Sequence, residues 1–294
     1  MARIGRLAQR RRHPTRRPTR AEPAARLEGL ILPPRLFVPQ AFVADAVVTL
    51  PPAAARHVQV LRLQPGDALV VFNGSDGADW PGEIVRIGRR DVEVRVAAPL
   101  AVDRELACEV TIALGVPAND RMDALVEKAG ELGAAAIQPL VCERSVVRLS
   151  GERAEAKRAH WQAVATAASE QCGRARVAVV RPVASLPSWL GSLGPATEQR
   201  VLLSLAPEAL DPERAFADDA ARSPGGGRQG AARPVVVVLS GPEGGLAPAE
   251  EKAALARGFV AVSLGARVLR ADTAPLALLA WLGLRAPDAA RSKR

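Results

Sequence analysis

Two glycine-bearing runs near the C-terminus carry the chemistry this sequence can do. They are Leu239-Ser240-Gly241-Pro242-Glu243-Gly244-Gly245-Leu246 and Ser263-Leu264-Gly265-Ala266-Arg267-Val268-Leu269-Arg270. Each follows a short apolar segment, Pro234 to Leu239 and Phe259 to Leu264, whose pattern predicts a strand buried on both faces of a parallel sheet. Both loops then lie on one edge of that sheet, the edge where open α/β sheets bind ligands. Glycine lets main-chain atoms approach a ligand closely, so the pair predicts a nucleoside pocket built largely from backbone. Other chemistries lack their residues. No Gly-Lys-Ser/Thr follows the first loop, no GxGxxG opens a βαβ unit with an acid at the end of the next strand, and no GxSxG is present, which argues against a P-loop, a dinucleotide-binding unit and a nucleophile elbow. The histidines, His13, His57 and His160, and the cysteines, Cys108, Cys142 and Cys172, are scattered without a CxxC pair. No metal cluster or catalytic triad is expected from them, and an odd number of widely spaced cysteines fits a reducing, cytoplasmic setting.

The elements that must position these loops follow from periodicity. From Arg35 to about Val102, Ala68–Phe72, Gly82–Ile87 and Val92–Val96 read as short strands separated by turn signals such as Asn73-Gly74-Ser75-Asp76-Gly77, the spacing of a small β-barrel. After Leu106 strands and helices alternate. Val110–Leu114, Ala136–Val141, Val177–Val180 and Val201–Leu205 read as strands. Arg121–Leu132 reads as a helix ended by Gly133, Glu152–Cys172 as a helix with Trp161, Val164 and Ala168 at helical spacing, and Thr273–Leu284 as the closing helix. This alternation predicts a parallel α/β sheet with helices on both faces. The glycine-rich stretch Ser223 to Arg233 reads as a flexible insertion. The chain of 294 residues is long enough for two cores, and no apolar run has the length of a membrane-spanning helix.

The net charge of +9 is unevenly placed. Residues 1–20 hold eight arginines and no acid, leaving about +1 for the rest of the chain. RNA binding by the folded part would therefore rest on local arginine clusters. The tail has too little apolar content to fold alone; it reads as an RNA-contacting arm, a transit peptide, or an extension upstream of the true start.

The ordered motifs resemble those of the ribosomal RNA small-subunit methyltransferase E (RsmE) family, a group of SPOUT methyltransferases. The resemblance rests on Gly241-Pro-Glu-Gly-Gly245 and Ser263 to Ala274, with Arg121-Met122-Asp123, Glu127 to Gly133, Glu143 to Val147, Glu170 to Arg174, Arg35 to Val38 and Val60 to Asp67. It implies a PUA-like RNA-binding barrel at 34–104, a knotted SPOUT domain at 105–286, a basic extension at 1–33 and a tail at 287–294. It also implies a homodimer, and transfer of a methyl group from S-adenosylmethionine to N3 of a uridine in small-subunit ribosomal RNA, in an assembled or partly assembled subunit. The expected cofactor contacts are Leu203, Ser204, Leu205, Leu239, Ser240, Gly241, Gly244, Gly245, Ser263, Leu264, Gly265, Val268 and Leu269.

N3 of uracil is protonated at neutral pH, so a base must remove the proton or a cation must stabilise the anion. Arg270 and Arg267 are the candidates for the cation, the alternative for each being a salt bridge that fixes its loop. Glu243 is the candidate base, the alternative being an acid at a helix N-terminus. Arg56, His57 and Arg62 are candidate RNA contacts on the barrel, and Arg144, Arg148 and Arg174 in the cleft. Asp272 stands where the family more often has Glu, and Ala178 where it has Pro. Two further readings share these residues: a SPOUT enzyme acting on another base or a ribose 2′-hydroxyl, and a non-catalytic RNA-binding or ribosome-assembly factor.

Overall fold

The computed structural model describes residues 33–89, 91–118, 121–217 and 233–285. The basic extension, most of the glycine-rich insertion and the tail lie outside them.

The first sheet contains β1 (Arg35–Phe37), β2 (Val47–Thr49), β3 (Ala68–Phe72), β4 (Ala78–Ile87), β5 (Val92–Val96) and β6 (Leu100–Ala101). The ladder runs β1-β3-β4-β5-β2, with β6 added to β4. The three strands read from the sequence are here, but the ladder ends at β1 and β2. A helix, α1 (Pro52–Val60), packs Ala54, Ala55 and Val58 into the same core as Leu36, Val71 and Val94. Pro52 starts it without loss of a hydrogen bond, since the first amides of a helix have no partner in the helix. Arg56 and His57 therefore lie on a helix and not on a strand. Arg62 follows in a turn at φ +57°.

The second sheet is parallel throughout. Its strands are β7 (Glu109–Gly115), β8 (Ala136–Val141), β9 (Val179–Val180), β10 (Ala184–Ser185), β11 (Gln199–Leu203), β12 (Val235–Ser240) and β13 (Val260–Val262). The order is β10-β8-β7-β12-β11-β13, with β9 also beside β8. Its helices are α2 (Arg121–Glu131), α3 (Gly151–Cys172), α4 (Leu186–Ser192), α5 (Pro212–Ala215), α6 (Pro248–Ala256) and α7 (Thr273–Arg285). Alternation along each strand feeds two cores. Ile112, Leu114, Val236 and Val238 face Met122, Leu125, Trp161, Leu278 and Leu279 on one side. Ala113, Val237, Leu239 and Leu202 face Leu186, Trp189, Leu190 and Ala254 on the other. β12 is buried as its sequence predicts. β13 departs from expectation: β11 is its one strand partner, its outer side is met at Leu210, which donates to Ala261 O and accepts from Ser263 N, and Val260 is left 42% exposed.

The two sheets are joined at the amino edge of the second. Arg35 pairs with Asp79 at 2.5 Å and donates to Arg174 O. Phe37 N donates to Glu170 Oε1 at 2.8 Å, Arg104 donates to Gly173 O, and Val177 N to Gly74 O. Gly173 caps α3 at φ +85°, a left-handed turn that suits glycine. The run Glu170 to Arg174, expected near the cleft, is thus the junction at the opposite end of the strands. Arg174 is 3% exposed. It pairs with Glu105 and donates to Gly130 O at 2.8 Å and Ala134 O at 3.0 Å. With its donors committed and no surface to offer, Arg174 is a structural residue and not an RNA contact.

Candidate active site

At the carboxyl edge, the loops after β11, β12 and β13 enclose a pocket of about 520 Å³, within the roughly 300–1,000 Å³ usual for small-molecule sites. Leu203, Ser204, Leu205, Ser240, Gly241, Gly244, Gly245, Leu264, Val268 and Leu269 line it, as do Glu243, Arg267 and Arg270. Three expected contacts lie elsewhere. Leu239 points the opposite way from Ser240 and is fully buried in the core beneath the loop. Ser263 and Gly265 are absent from the lining, which takes Val262 and Leu264 on either side of Ser263; in the loop after β13 the Ser263 hydroxyl lies 3.4 Å from Gly265 O.

The loop after β12 turns so tightly that a Cβ on Gly241 would meet Leu246 N at 2.8 Å. Gly245 has φ +68° and bonds through its N–H to Pro242 O. Neighbouring segments anchor this turn. A Cβ on Gly115, at the end of β7, would come within 2.6 Å of the Pro242 nitrogen, so only glycine lets β7 end beneath it. Arg144 donates to Gly244 O and to Leu246 O, both at 3.2 Å. Through Nη1 it fixes the loop, while the residue is exposed and its other nitrogens make no hydrogen bond with a described residue. Glu250, buried in the first turn of α6, accepts from Ala247 N at 2.9 Å and Glu143 N at 2.8 Å, tying the loop after β8 to the helix that follows the glycine loop. The sequence signalled neither Gly115 nor Glu250 as partners of the site. The carboxylate of Glu251, on the same helix, also lines the pocket and was not foreseen.

Glu243 accepts from Ala118 N at 2.8 Å and from Arg121 at 3.3 Å, both through Oε1. It is a loop anchor by this oxygen, and among the described residues Oε2 has no donor. Arg267 and Arg270 are exposed at the pocket and make no ion pair or side-chain hydrogen bond with a described residue. The salt-bridge alternative thus finds no partner there. Arg270 contributes its carbonyl to the start of α7, accepting from Thr273 N and Ala274 N. Arg148 donates to Glu143 O at 3.1 Å and is otherwise open, while Arg56 is exposed on α1 and Arg62 in the turn that follows it. Cys142 is no nucleophile: burial first, then the charge of Glu250, pushes its thiol up to about 12. No group of His, Cys, Asp and Glu among the described residues could hold a metal ion, and no described helix is long and apolar enough to cross a membrane.

Comparison with known proteins follows the same lines. A family model of the RNA methyltransferase domain matches residues 104–283, and one of the RNA methyltransferase PUA domain matches residues 50–97. The ribosomal RNA small subunit methyltransferase E of Synechocystis is 32% identical over 252 residues, covering 84% of this chain and 76% of its own. That of Bacillus subtilis is 31% identical over 74% of this chain and 82% of its own. Among solved structures, a Legionella pneumophila methyltransferase with bound SAM superposes with a TM-score of 0.74 at 30% identity, over 86% of this chain and 97% of its own. The ribosomal RNA small subunit methyltransferase E of Neisseria gonorrhoeae, bound to S-adenosyl methionine, gives 0.72 at 33% identity, over 85% and 97%. The fold is that of a SPOUT methyltransferase preceded by a PUA-like domain, and the chain belongs to the ribosomal RNA small subunit methyltransferase E family.

Proposed function

We propose that this chain methylates N3 of a uridine in small-subunit ribosomal RNA, with S-adenosylmethionine as methyl donor. The observation that carries the reading is the pair of guanidinium groups, Arg267 and Arg270, without a partner among the described residues at a glycine-lined pocket. The pocket suits the donor: backbone at Gly241, Gly244 and Gly245 leaves room for a nucleoside, Leu203, Leu264 and Leu269 offer apolar walls, and Glu251 offers an acceptor. Bound there, S-adenosylmethionine would supply an electrophilic methyl on a sulfonium. The residues of the chain orient the reactants, and in a displacement of this kind alignment is a large part of the rate. As the N3 proton leaves, negative charge spreads to O2 and O4 of uracil, and Arg270, assisted by Arg267, stabilises it. Glu243 Oε2 is the acceptor for the proton, while Oε1 keeps the loop in place.

The same reading divides the chain at about residue 104 into an RNA-binding module and a catalytic module. It includes a threaded C-terminal segment and a homodimer, for which α7 supplies the surface: Leu284 is 80% exposed and Leu276, Ala277 and Ala280 are only partly covered. Mass spectrometry of small-subunit RNA from a strain lacking this chain tests the reaction. One N3-methyluridine should disappear and return when the purified protein and S-adenosylmethionine are added to the subunits. A complete set of N3-methyluridines in the deletion strain would refute it.

A further inference from the structure

A second cavity, of about 370 Å³, lies on the other side of α6 from the glycine-lined pocket. Val141, Leu186 and Leu190 form its apolar floor, and exposed Ala249 and Ala253 of α6 form one wall. Glu143 and Arg148 stand at its rim. Consecutive residues separate the two cavities: Glu250 borders this one, Glu251 the other.

The polar groups sort into those that are spent and those that are open. Glu250 is consumed by Ala247 N and Glu143 N, and the protonated Cys142 thiol offers no charge. Arg148 gives one nitrogen to Glu143 O and has no ion pair with a described residue. The Glu143 carboxylate accepts from no described residue. An occupant would thus meet apolar walls, the Glu143 acceptor, the Arg148 cation and the Ser185 hydroxyl, which accepts from Ser188 N. A nucleotide has the matching character: a base with flat apolar faces and a donor-bearing edge, and an attached phosphate. The cavity also opens on the same sheet edge as the glycine-lined pocket, where RNA must pass to be methylated.

We propose that this cavity receives an unpaired nucleobase of the RNA substrate close to the one that is methylated, with Glu143 at its edge and Arg148 at its phosphate. The proposal rests on the RNA-methylating reading above. The test compares the full chain with Ala249→Phe and Ala253→Phe, which fill the cavity from exposed helix positions and disturb no core contact, and with Arg148→Gln. RNA affinity is measured by equilibrium binding to small-subunit particles and to protein-free small-subunit RNA, and cofactor affinity by calorimetry.

Both phenylalanine variants should weaken binding to either form of RNA at least tenfold while cofactor affinity stays at the wild-type value, which also shows that they fold. Arg148→Gln should reduce the slope of log affinity against log salt by about one, as for one lost phosphate contact. Wild-type RNA affinity in both phenylalanine variants would overturn the cavity's role and leave methyl transfer standing. Weakening on particles alone would assign the cavity to a ribosomal-protein side chain and overturn the proposal. If the wild-type chain bound cofactor but neither RNA, the functional reading and this proposal would fall together.

Discussion

Replacing Arg174 by Ala separates a structural arginine from an RNA-binding one. The side chain, 3% exposed, holds a Glu105 carboxylate that is itself only 10% exposed, and two carbonyls at the end of α2. Truncation leaves a buried carboxylate without its countercharge and Gly130 O and Ala134 O without their donor. Removing one partner of a buried pair costs about 3–5 kcal/mol. Adding the full cost of each orphaned carbonyl would count the same relaxation twice. For a domain of this size 1 kcal/mol moves the melting temperature by roughly 2–4 °C, so a drop of roughly 6–20 °C is expected. Urea and thermal denaturation followed by circular dichroism measure it. Glu105→Gln should recover part of the loss in the double variant, since it removes the unpaired charge. A melting temperature within 2 °C of wild type, together with weakened RNA binding, would show the buried assignment to be wrong.

Arg270→Ala should lower the single-turnover methyl-transfer rate at least tenfold, about 1.4 kcal/mol of transition-state stabilisation, with cofactor affinity by calorimetry kept. An unchanged rate would remove Arg270 from the reaction. Glu243→Gln should keep an acceptor for Ala118 N yet lower the single-turnover rate, whereas Glu243→Ala should also weaken cofactor binding; identical behaviour of the two would leave Glu243 as an anchor alone. Gly244→Val should lose cofactor affinity by displacing the loop, because its Cβ would press on Arg144 Cβ at 3.2 Å, and retained affinity would show that the loop can shift without consequence. Hydrogen bonds from Arg200 and Thr197 hold the Glu198 carboxyl below its ordinary range although burial raises it. Its contribution to stability is therefore present above the ordinary carboxylate range and lost as pH falls through the lowered value, so Glu198→Gln should flatten the acid side of the stability profile.

The strands and helices around the site were legible because their signals are local. Val235 to Leu239 is an unbroken apolar run, and Gly133 and Gly173 mark helix ends at the positions where the chain turns. α1 was missed because Pro51-Pro52-Ala-Ala-Ala-Arg-His carries too short an apolar pattern to register as a helix. Within the site the motif fixed the loops but not the facing of each residue. Leu239 and Ser263 are members of their motifs, but strand alternation in β12 turns Leu239 away from the pocket and the loop after β13 does the same for Ser263. The long-range partners left no trace in any window: Arg174 meets Glu105 across 69 residues, Glu143 meets Glu250 across 107.

The junction at the amino edge has a consequence for what can serve as substrate. β8 has six residues, about 20 Å of strand at roughly 3.3 Å each, between the ties around Arg174 and the carboxyl edge that bears both cavities. Those ties are ion pairs and main-chain bonds on both sheets, which make the separation a fixed gauge. A ligand that touches the first sheet and presents a base at the other edge must itself hold that span. A short flexible oligonucleotide would lose conformational freedom to bridge it, whereas RNA folded in a particle already has its shape. On the proposed function, affinity for folded small-subunit RNA should therefore exceed that for a short oligonucleotide carrying the same base.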